Sequence, residues 1–279
     1  MIDVLLATYK PNPEWLSAQV ASIVSQTGVE TRLLQREDPV GEGPSANFGA
    51  LLQKSTADYV AFADQDDVWL PEKLFKSQRR LQMLEKIYGS DMPLAVFTDG
   101  LVTDTWLKPF PGTVISRQKV DVCVGLMFER LLMQNFIAGC SMLFNAALRR
   151  KAGLIPKGAY MYDYWVCLVA SAYGRISFVN EPLYLYRQHS RNAVGETNAN
   201  LTHFIKRGLE GVGAFRARLN ANIVQAQTFV SRFGKEAPAS AEALAHFGEM
   251  SVFKRRQAIL RNRLFKQGII RNLALMAFA

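Results

Sequence analysis

The sequence predicts an α/β protein built on a mostly parallel, doubly wound sheet and followed by a basic helical appendage. Three observations carry that prediction. Short apolar runs alternate with amphipathic segments from residue 2 onward, acidic residues gather where the third run ends, and the net charge of +9 resides entirely in residues 203–279. That last segment has 13 Lys+Arg against 4 Asp+Glu, whereas residues 1–202 have 20 of each. With 279 residues, 49% of them apolar, the chain can bury a full core.

IDVLLATY reads as a buried strand, PEWLSAQVASIVSQ as an amphipathic helix and ETRLLQRE as a second strand. SANFGALLQKS follows a Gly/Pro turn as a helix, and DYVAFAD is the third strand. Alternation of this kind implies parallel pairing. Pro71-Glu72 opens a helix that runs to about Tyr88, and PLAVFTDGLVTD is a further strand and turn. Residues 108–124 are rich in turn formers without periodicity, as expected of a mobile loop or a surface excursion. NFIAGCSMLFN comes next, then a short helix ending near Gly153. MYDYWVCLVASAYG is a buried helix with Asp163 in its first turn, walled by Tyr164 and Trp165. RISFVN and PLYLYRQH read as a strand pair, SRNAVGETN as a polar linker, and helices fill the rest. The boundaries expected are a catalytic domain over 1–200, with halves of about 1–100 and 101–200, and a helical region over 201–279.

Cys123, Cys140 and Cys167 are odd in number and lack the spacing of a zinc site or disulfide framework, which fits a reducing cytosol. The opening IDVLLATY has no basic n-region, so nothing marks the chain for secretion. The uncharged stretch 131–148 contains Gln134, Asn135 and Asn145, which argues against a membrane span.

FADQDDVWLPEKL places Asp64, Asp66 and Asp67 within four positions. At the end of a strand, Asp64 and Asp66 project the same way and repel, unless a cation sits between them or water reaches both. A divalent metal is one reading and a solvated acidic turn the other. Ligands of doubly wound sheets bind outside the carboxyl ends of the strands. Thr8, Tyr9, Asp38, Asp64 and Asp66 all fall on that rim, at three separate strand ends.

Taken in order, ATYKP, SIVSQT, RED, FADQDDVWLPEKL, NFIAGCSMLFN, YDYW and LYRQHSRNAVG resemble the inverting family 2 glycosyltransferases of GT-A fold. Among these the bacterial rhamnosyltransferases are nearest, with patterns close to DQDDIW, GCTMLFN, HDWW and YRQHGNNVVG. The resemblance spans residues 2 to about 195. It implies a nucleotide-sugar donor whose diphosphate leaving group is neutralised by Mg²⁺ or Mn²⁺. Asp66 would be the metal carboxylate, with Asp64 near the ribose or sharing the metal, while Asp67 orients the turn. Asp38 would meet the nucleobase, with Thr8 and Tyr9 lining the same pocket, although EDPVGEGPS stands here where relatives commonly read DDGS. Asp163 would be the general base that takes the acceptor proton, its alternative being a helix cap. Relatives often have His at the place of Tyr162.

Arg187 and His189 alternate along the last strand and share a face, which suits a diphosphate or, for His189, the metal shell. Asn135, Gly139, Cys140, Ser141 and Trp165 would border the acceptor, Cys140 as small filler because no basic partner adjoins it. The implied donor is dTDP-β-L-rhamnose and the implied acceptor a surface polysaccharide or lipopolysaccharide, with UDP-sugars as the alternative donors. An aspartyl-phosphate phosphatase would place its acidic motif on the first strand; for a nucleic-acid binder the neutral body lacks a reading motif and the aromatics lie mostly in apolar runs, and a catalytically silent scaffold stands as a further alternative. The expected location is cytoplasmic. The basic tail, with Phe253, Leu260, Leu264, Ile269 and Leu273 at helical spacing, predicts either contact with an anionic membrane or packing on the body.

Overall fold

The computed structural model describes residues 1–189 and 201–278, which leaves the expected polar linker at 190–198 outside the described residues. The chain forms two compact units. Unit one comprises Met1–Lys119, Phe136–Lys157 and Met161–His189; unit two comprises Val120–Asn135, Gly158–Tyr160 and the C-terminal region. Residues 120–135, expected with the catalytic half, thus group with the C-terminal helices.

Unit one opens with the expected alternation: β1 (Ile2–Thr8), α1 (Pro13–Val24), β2 (Thr31–Glu37), α2 (Pro44–Lys54) and β3 (Tyr59–Ala63). β1 is buried on both faces, as a parallel strand covered by helices must be. Asn12 caps α1 by accepting from the N–H groups of Glu14 and Trp15, and Pro13 fixes the first turn. A two-residue strand β4 (Val68–Trp69), α3 (Lys73–Tyr88), β5 (Leu94–Thr103), β6 (Pro109–Thr113) and α4 (Val114–Gln118) follow. In the sheet, ordered β2-β1-β3-β7-β5-β8-β4, β7 is Met142–Asn145 and β8 is Arg175–Arg187. β1 pairs in parallel with β2 and β3, and β5 with β8, while β7 runs antiparallel to β3 and β5.

One expectation is sharpened and one corrected. The segment after Lys108 is a surface excursion: β6 pairs with β5, and α4 opens with a reciprocal cap between Thr113 and Ser116. β6 shows no apolar period because it is an exposed edge strand with two prolines. The expected strand pair at 175–189 is one strand, β8, whose register against β5 shifts between Thr98 and Asp99, opposite Val179 and Pro182. Proline cannot donate to the ladder there, and Asp99 instead accepts from the N–H groups of Gly100 and Ile115.

In unit two, short helices α5 (Val122–Gly125) and α6 (Phe128–Met133) join α9 (Leu201–Phe233), α10 (Ala239–Ala245), α11 (Val252–Arg261) and α12 (Ile269–Phe278). The helices between, α7 (Ala146–Ala152) and α8 (Tyr162–Tyr173), belong to unit one. Phe128 of α6 packs on Phe229 of α9 at 5.3 Å between rings, and Asn222 donates to the Met133 carbonyl at 2.9 Å. Among the described residues, no helix is long and apolar enough to cross a membrane.

Candidate active site

The acidic turn leaves β3 beside the N-terminus of α8, both within unit one. α8 is apolar nearly all round and is buried from Tyr164 to Ala170, so its first turn is held rigidly. Tyr162 stacks on Phe48 at 3.8 Å and meets Phe62 edge-on at 4.8 Å. That clamp brings its hydroxyl to Asp64 Oδ1, to which it donates at 3.3 Å. A Cβ at Gly139 would lie 2.5 Å from the same hydroxyl, so only glycine lets Tyr162 occupy this place. The Gly139 N–H donates to Asp163 Oδ2 at 3.1 Å, and the Tyr164 N–H to Oδ1 at 2.7 Å.

Asp64 and Asp163 are partly buried and Asp67 fully so. Burial, with the charges of Asp66 and Asp163 next, pushes Asp64 up to about 7. Burial pushes Asp163 up to about 6, against the N–H bonds of Tyr164, Gly139 and its own backbone, which oppose it. Asp67 rises well above the carboxylate range through burial and its neighbours Asp66 and Asp64. Its Oδ1 accepts from the Arg187 N–H at 3.2 Å, and its buried Oδ2 has no hydrogen-bond partner among the described residues.

Asp66 has a different partner. Its Oδ2 lies 2.7 Å from His189 Nε2, with side-chain exposures of 17% and 10%. Trp15, placed by the capped first turn of α1, flanks this pair: its ring is 4.9 Å from His189 and 5.0 Å from the Arg187 guanidinium. Arg187 is 3% exposed and its guanidinium donates to the carbonyls of Asp66, at 2.7 Å, and Thr105. Expected at a diphosphate, Arg187 here is a strut under the acidic turn.

The other expected residues divide in the same manner. Thr8 is buried and its hydroxyl donates to the Arg36 carbonyl, whereas Tyr9 is 45% exposed and its backbone is clasped by Gln65, at 2.8 and 3.2 Å. Asp38, expected at the nucleobase, is buried and accepts from the N–H groups of Val40, Gly41 and Gly43, so its oxygens close the loop before α2. Gly41 and Gly43 adopt φ of +78° and +94° to present those N–H groups. Trp165 was expected at the acceptor but is fully buried, its indole donating to the Ala152 carbonyl at 3.1 Å; it is core. Cys140 is likewise fully buried, beneath the carboxylates, and Ser141 donates to the Ala138 carbonyl. Asn135 belongs to unit two.

Whether the site suits a divalent cation is answered by its donors. One oxygen each of Asp64 and Asp67 and the Cys140 sulfur lie within 4.8 Å of one another. Burial raises the Cys140 thiol well above its ordinary range, so it stays protonated and offers a hard cation nothing. The Asp64 and Asp67 carboxylates, one with an orphaned oxygen, are hard oxygen donors of the kind Mg²⁺ or Mn²⁺ accepts, whereas Asp66 and His189, expected as ligands, pair with each other outside that cluster among the described residues. The residues therefore fit, and the thiol is the member that does not.

Two residues that sequence reasoning passed over complete the turn. Gln65 ties it to the end of β1 as above. Lys73, at the start of α3, is fully buried with its ammonium 3.9 Å above the Trp69 ring and no hydrogen-bond partner among the described residues. Burial lowers it to about 8. Its signal is a lysine following Trp-Leu-Pro-Glu where the helix turns inward.

No family model and no curated protein matches the sequence. Among solved structures the chain is similar to S. aureus TarS 1–349 in complex with UDP-GlcNAc, with a TM-score of 0.51 and 13% identity over 94% of this chain and 80% of that one. The complex of TarS 1–349 with UDP gives 0.51 and 11% over 92% and 78%. TarS 1–349 alone gives 0.53 and 12% over 99% and 86%. At such identity the likeness is one of fold, and it supports for this chain the GT-A arrangement, a mostly parallel sheet flanked by helices with a helical C-terminal part.

Proposed function

We propose that this protein is a metal-dependent inverting glycosyltransferase that moves L-rhamnose from dTDP-β-L-rhamnose to a bacterial surface polysaccharide or lipopolysaccharide. The observation that carries the reading is Asp163: a carboxylate fixed by two backbone N–H groups at the mouth of the acidic rim, with its proton affinity raised to about 6. A general base works best with a pKa near the operating pH.

In this reading Asp66, with Asp64 and His189, would hold Mg²⁺ or Mn²⁺, and Tyr9 would line the base pocket. The cation, when bound, supplies Lewis-acid stabilisation of the charge that grows on the departing diphosphate. The chain's own residues do the rest. Asp163 takes the proton from the acceptor hydroxyl as its oxygen attacks the anomeric carbon opposite the leaving group. Tyr162 donates to Asp64 and keeps that carboxylate oriented. Arg187 and Gln65 hold the turn from beneath and from β1.

A UDP-sugar donor is the second reading, favoured by the likeness to TarS 1–349 solved with UDP-GlcNAc and with UDP. The phosphatase alternative is not favoured, because the acidic motif follows the third strand of the sheet. The domain reading is a catalytic unit over about 1–200 and a basic helical region beyond. The proposed place is cytoplasmic, at a membrane that carries a glycolipid acceptor. The test is a panel of dTDP-, UDP- and GDP-sugars scored for thermal stabilisation and hydrolysis with Mn²⁺ and with EDTA. Metal-dependent stabilisation by dTDP-rhamnose above the others is expected. Preference for a UDP-sugar replaces the donor, and no response to any of them overturns the reading.

A further inference from the structure

The last two helices of unit two turn apolar side chains outward. In α11, Phe253 and Leu260 stand seven positions apart and so share a face. In α12, Ile269, Ile270 and Leu273 fall within about 100° of arc, on the side away from Leu275. These five are 58–80% exposed, while Ile259, Leu264 and Leu275, which anchor the same segment, are fully buried. Single exposed apolar residues are ordinary on a protein surface; a run of them on consecutive helices marks a surface meant to be covered.

Charge indicates what covers it. From residue 250 to 279 the chain has seven Lys/Arg and no Asp/Glu. Lys266 is turned inward, its ammonium donating to the Met133 carbonyl at 2.8 Å, and Arg256 donates to the Met276 carbonyl at 2.8 Å, joining α11 to α12. Lys254, Arg261, Arg263 and Arg271 remain exposed around the apolar residues. A second copy would bring like charges face to face across a two-fold axis. A nucleic-acid backbone would satisfy the cations and leave the apolar side chains in water.

We propose that α11 and α12 form a docking surface for an anionic lipid bilayer. Phe253, Leu260, Ile269, Ile270 and Leu273 enter the boundary between headgroups and acyl chains, and the surrounding cations meet lipid phosphates and carboxylates. This specifies the membrane contact of the functional reading without depending on its chemistry, so vesicle binding and donor binding can fail separately.

The experiment is flotation of the full chain with phosphatidylcholine vesicles, alone or with about 30% phosphatidylserine. Recovery with the anionic vesicles only, falling as salt rises from about 0.1 M to 0.5 M, is expected. The variant Ile269→Ser/Ile270→Ser/Leu273→Ser should lose roughly tenfold or more of that binding with an unchanged melting temperature, since these side chains face solvent. Arg261→Gln/Arg263→Gln should weaken binding and its salt dependence together. Undiminished flotation of the triple-serine variant, or no flotation of the wild type, overturns the proposal. So does self-association by sedimentation equilibrium that the triple-serine variant abolishes, which would assign the face to contact between copies. Thermal stabilisation by nucleotide sugars, measured alongside, reports on the donor site independently.

Discussion

The two ends of the sheet treat buried carboxylates in opposite ways. At the start of β1, Asp3 is fully buried and receives the Arg32 guanidinium twice at 2.8 Å, the Ser55 hydroxyl at 2.7 Å and the N–H groups of Thr56 and Ala57 at 3.0 and 3.1 Å. Burial alone would raise its pKa, but those donors outweigh burial and hold it at about 2. At the other end, Asp64 and Asp163 are pushed up to about 7 and 6, and Asp67 keeps an orphaned oxygen. The same side chain is a fastener where donors saturate its lone pairs and a reactive or ligating group where they do not. Asp38 sharpens the point: it sits on the candidate rim yet behaves like Asp3, because three N–H groups of its own loop use its oxygens.

The largest effect expected from this contrast is on transfer. Asp163→Asn keeps the size and the contact with the backbone but cannot take a proton, so the transfer rate should fall by about 10²–10⁴-fold with donor binding intact. Transfer at the wild-type rate would make Asp163 a cap instead. Next in size is Asp66→Ala, which should remove the metal-dependent part of turnover, roughly 10³-fold, with a stability loss of only about 1 kcal/mol from the lost contact with His189. A variant that keeps most of its activity at saturating Mg²⁺ would exclude Asp66 as a ligand.

How far this contrast is legible in sequence depends on what a carboxylate touches. The strand and helix order to Tyr88 follows from period, and the acidic turn and Asp163 stand out as charges in apolar runs. Asp3 does not stand out, since its donors come from Arg32 and from residues 55–57, brought together only by the β1–β2 and β1–β3 pairing. Arg187 reads as a phosphate ligand because sequence shows its charge and not its burial. Trp165 reads as a wall of the acceptor site because one buried helix face cannot be told from another when a helix is apolar all round. The outward face of α12 is left open between membrane and body for the reciprocal reason, as apolar periodicity tells of amphipathicity but not of which side meets the protein.

A stability effect of intermediate size separates fastener from reactive group. Asp3→Ala strands the buried Ser55 hydroxyl and Ala57 N–H and should destabilise by about 3 kcal/mol in urea unfolding. Asp38→Ala should act in the same direction and by less, its partners being loop N–H groups that water can reach. If Asp3→Ala unfolds at the wild-type urea midpoint, the donors around Asp3 are not what holds that end together.

The smallest effect is the most diagnostic, because the two ends should respond to pH with opposite sign. Asp3 has a folded pKa below its ordinary value of 3.8, so the native state binds its proton more weakly than the unfolded chain does. Its stabilisation is fully present above about pH 4 and is lost as pH falls toward 2. Asp64 is raised to about 7, Asp163 to about 6 and Asp67 well above its ordinary value, so the native state holds their protons more tightly. Stability without metal should therefore decline as pH rises from about 4 to 7, by on the order of 2 kcal/mol once partial access of water to Asp64 is allowed for. Asp64→Asn removes one of the three raised groups and should make that decline shallower while leaving the acid limb, governed by Asp3, in place. Melting temperatures in EDTA from pH 2 to 8 for the wild type and Asp64→Asn would show it. An undiminished slope between pH 4 and 7 in Asp64→Asn would mean that Asp64 ionises in the folded protein as freely as in water, and the opposition between the two ends of the sheet would then be geometric and not electrostatic.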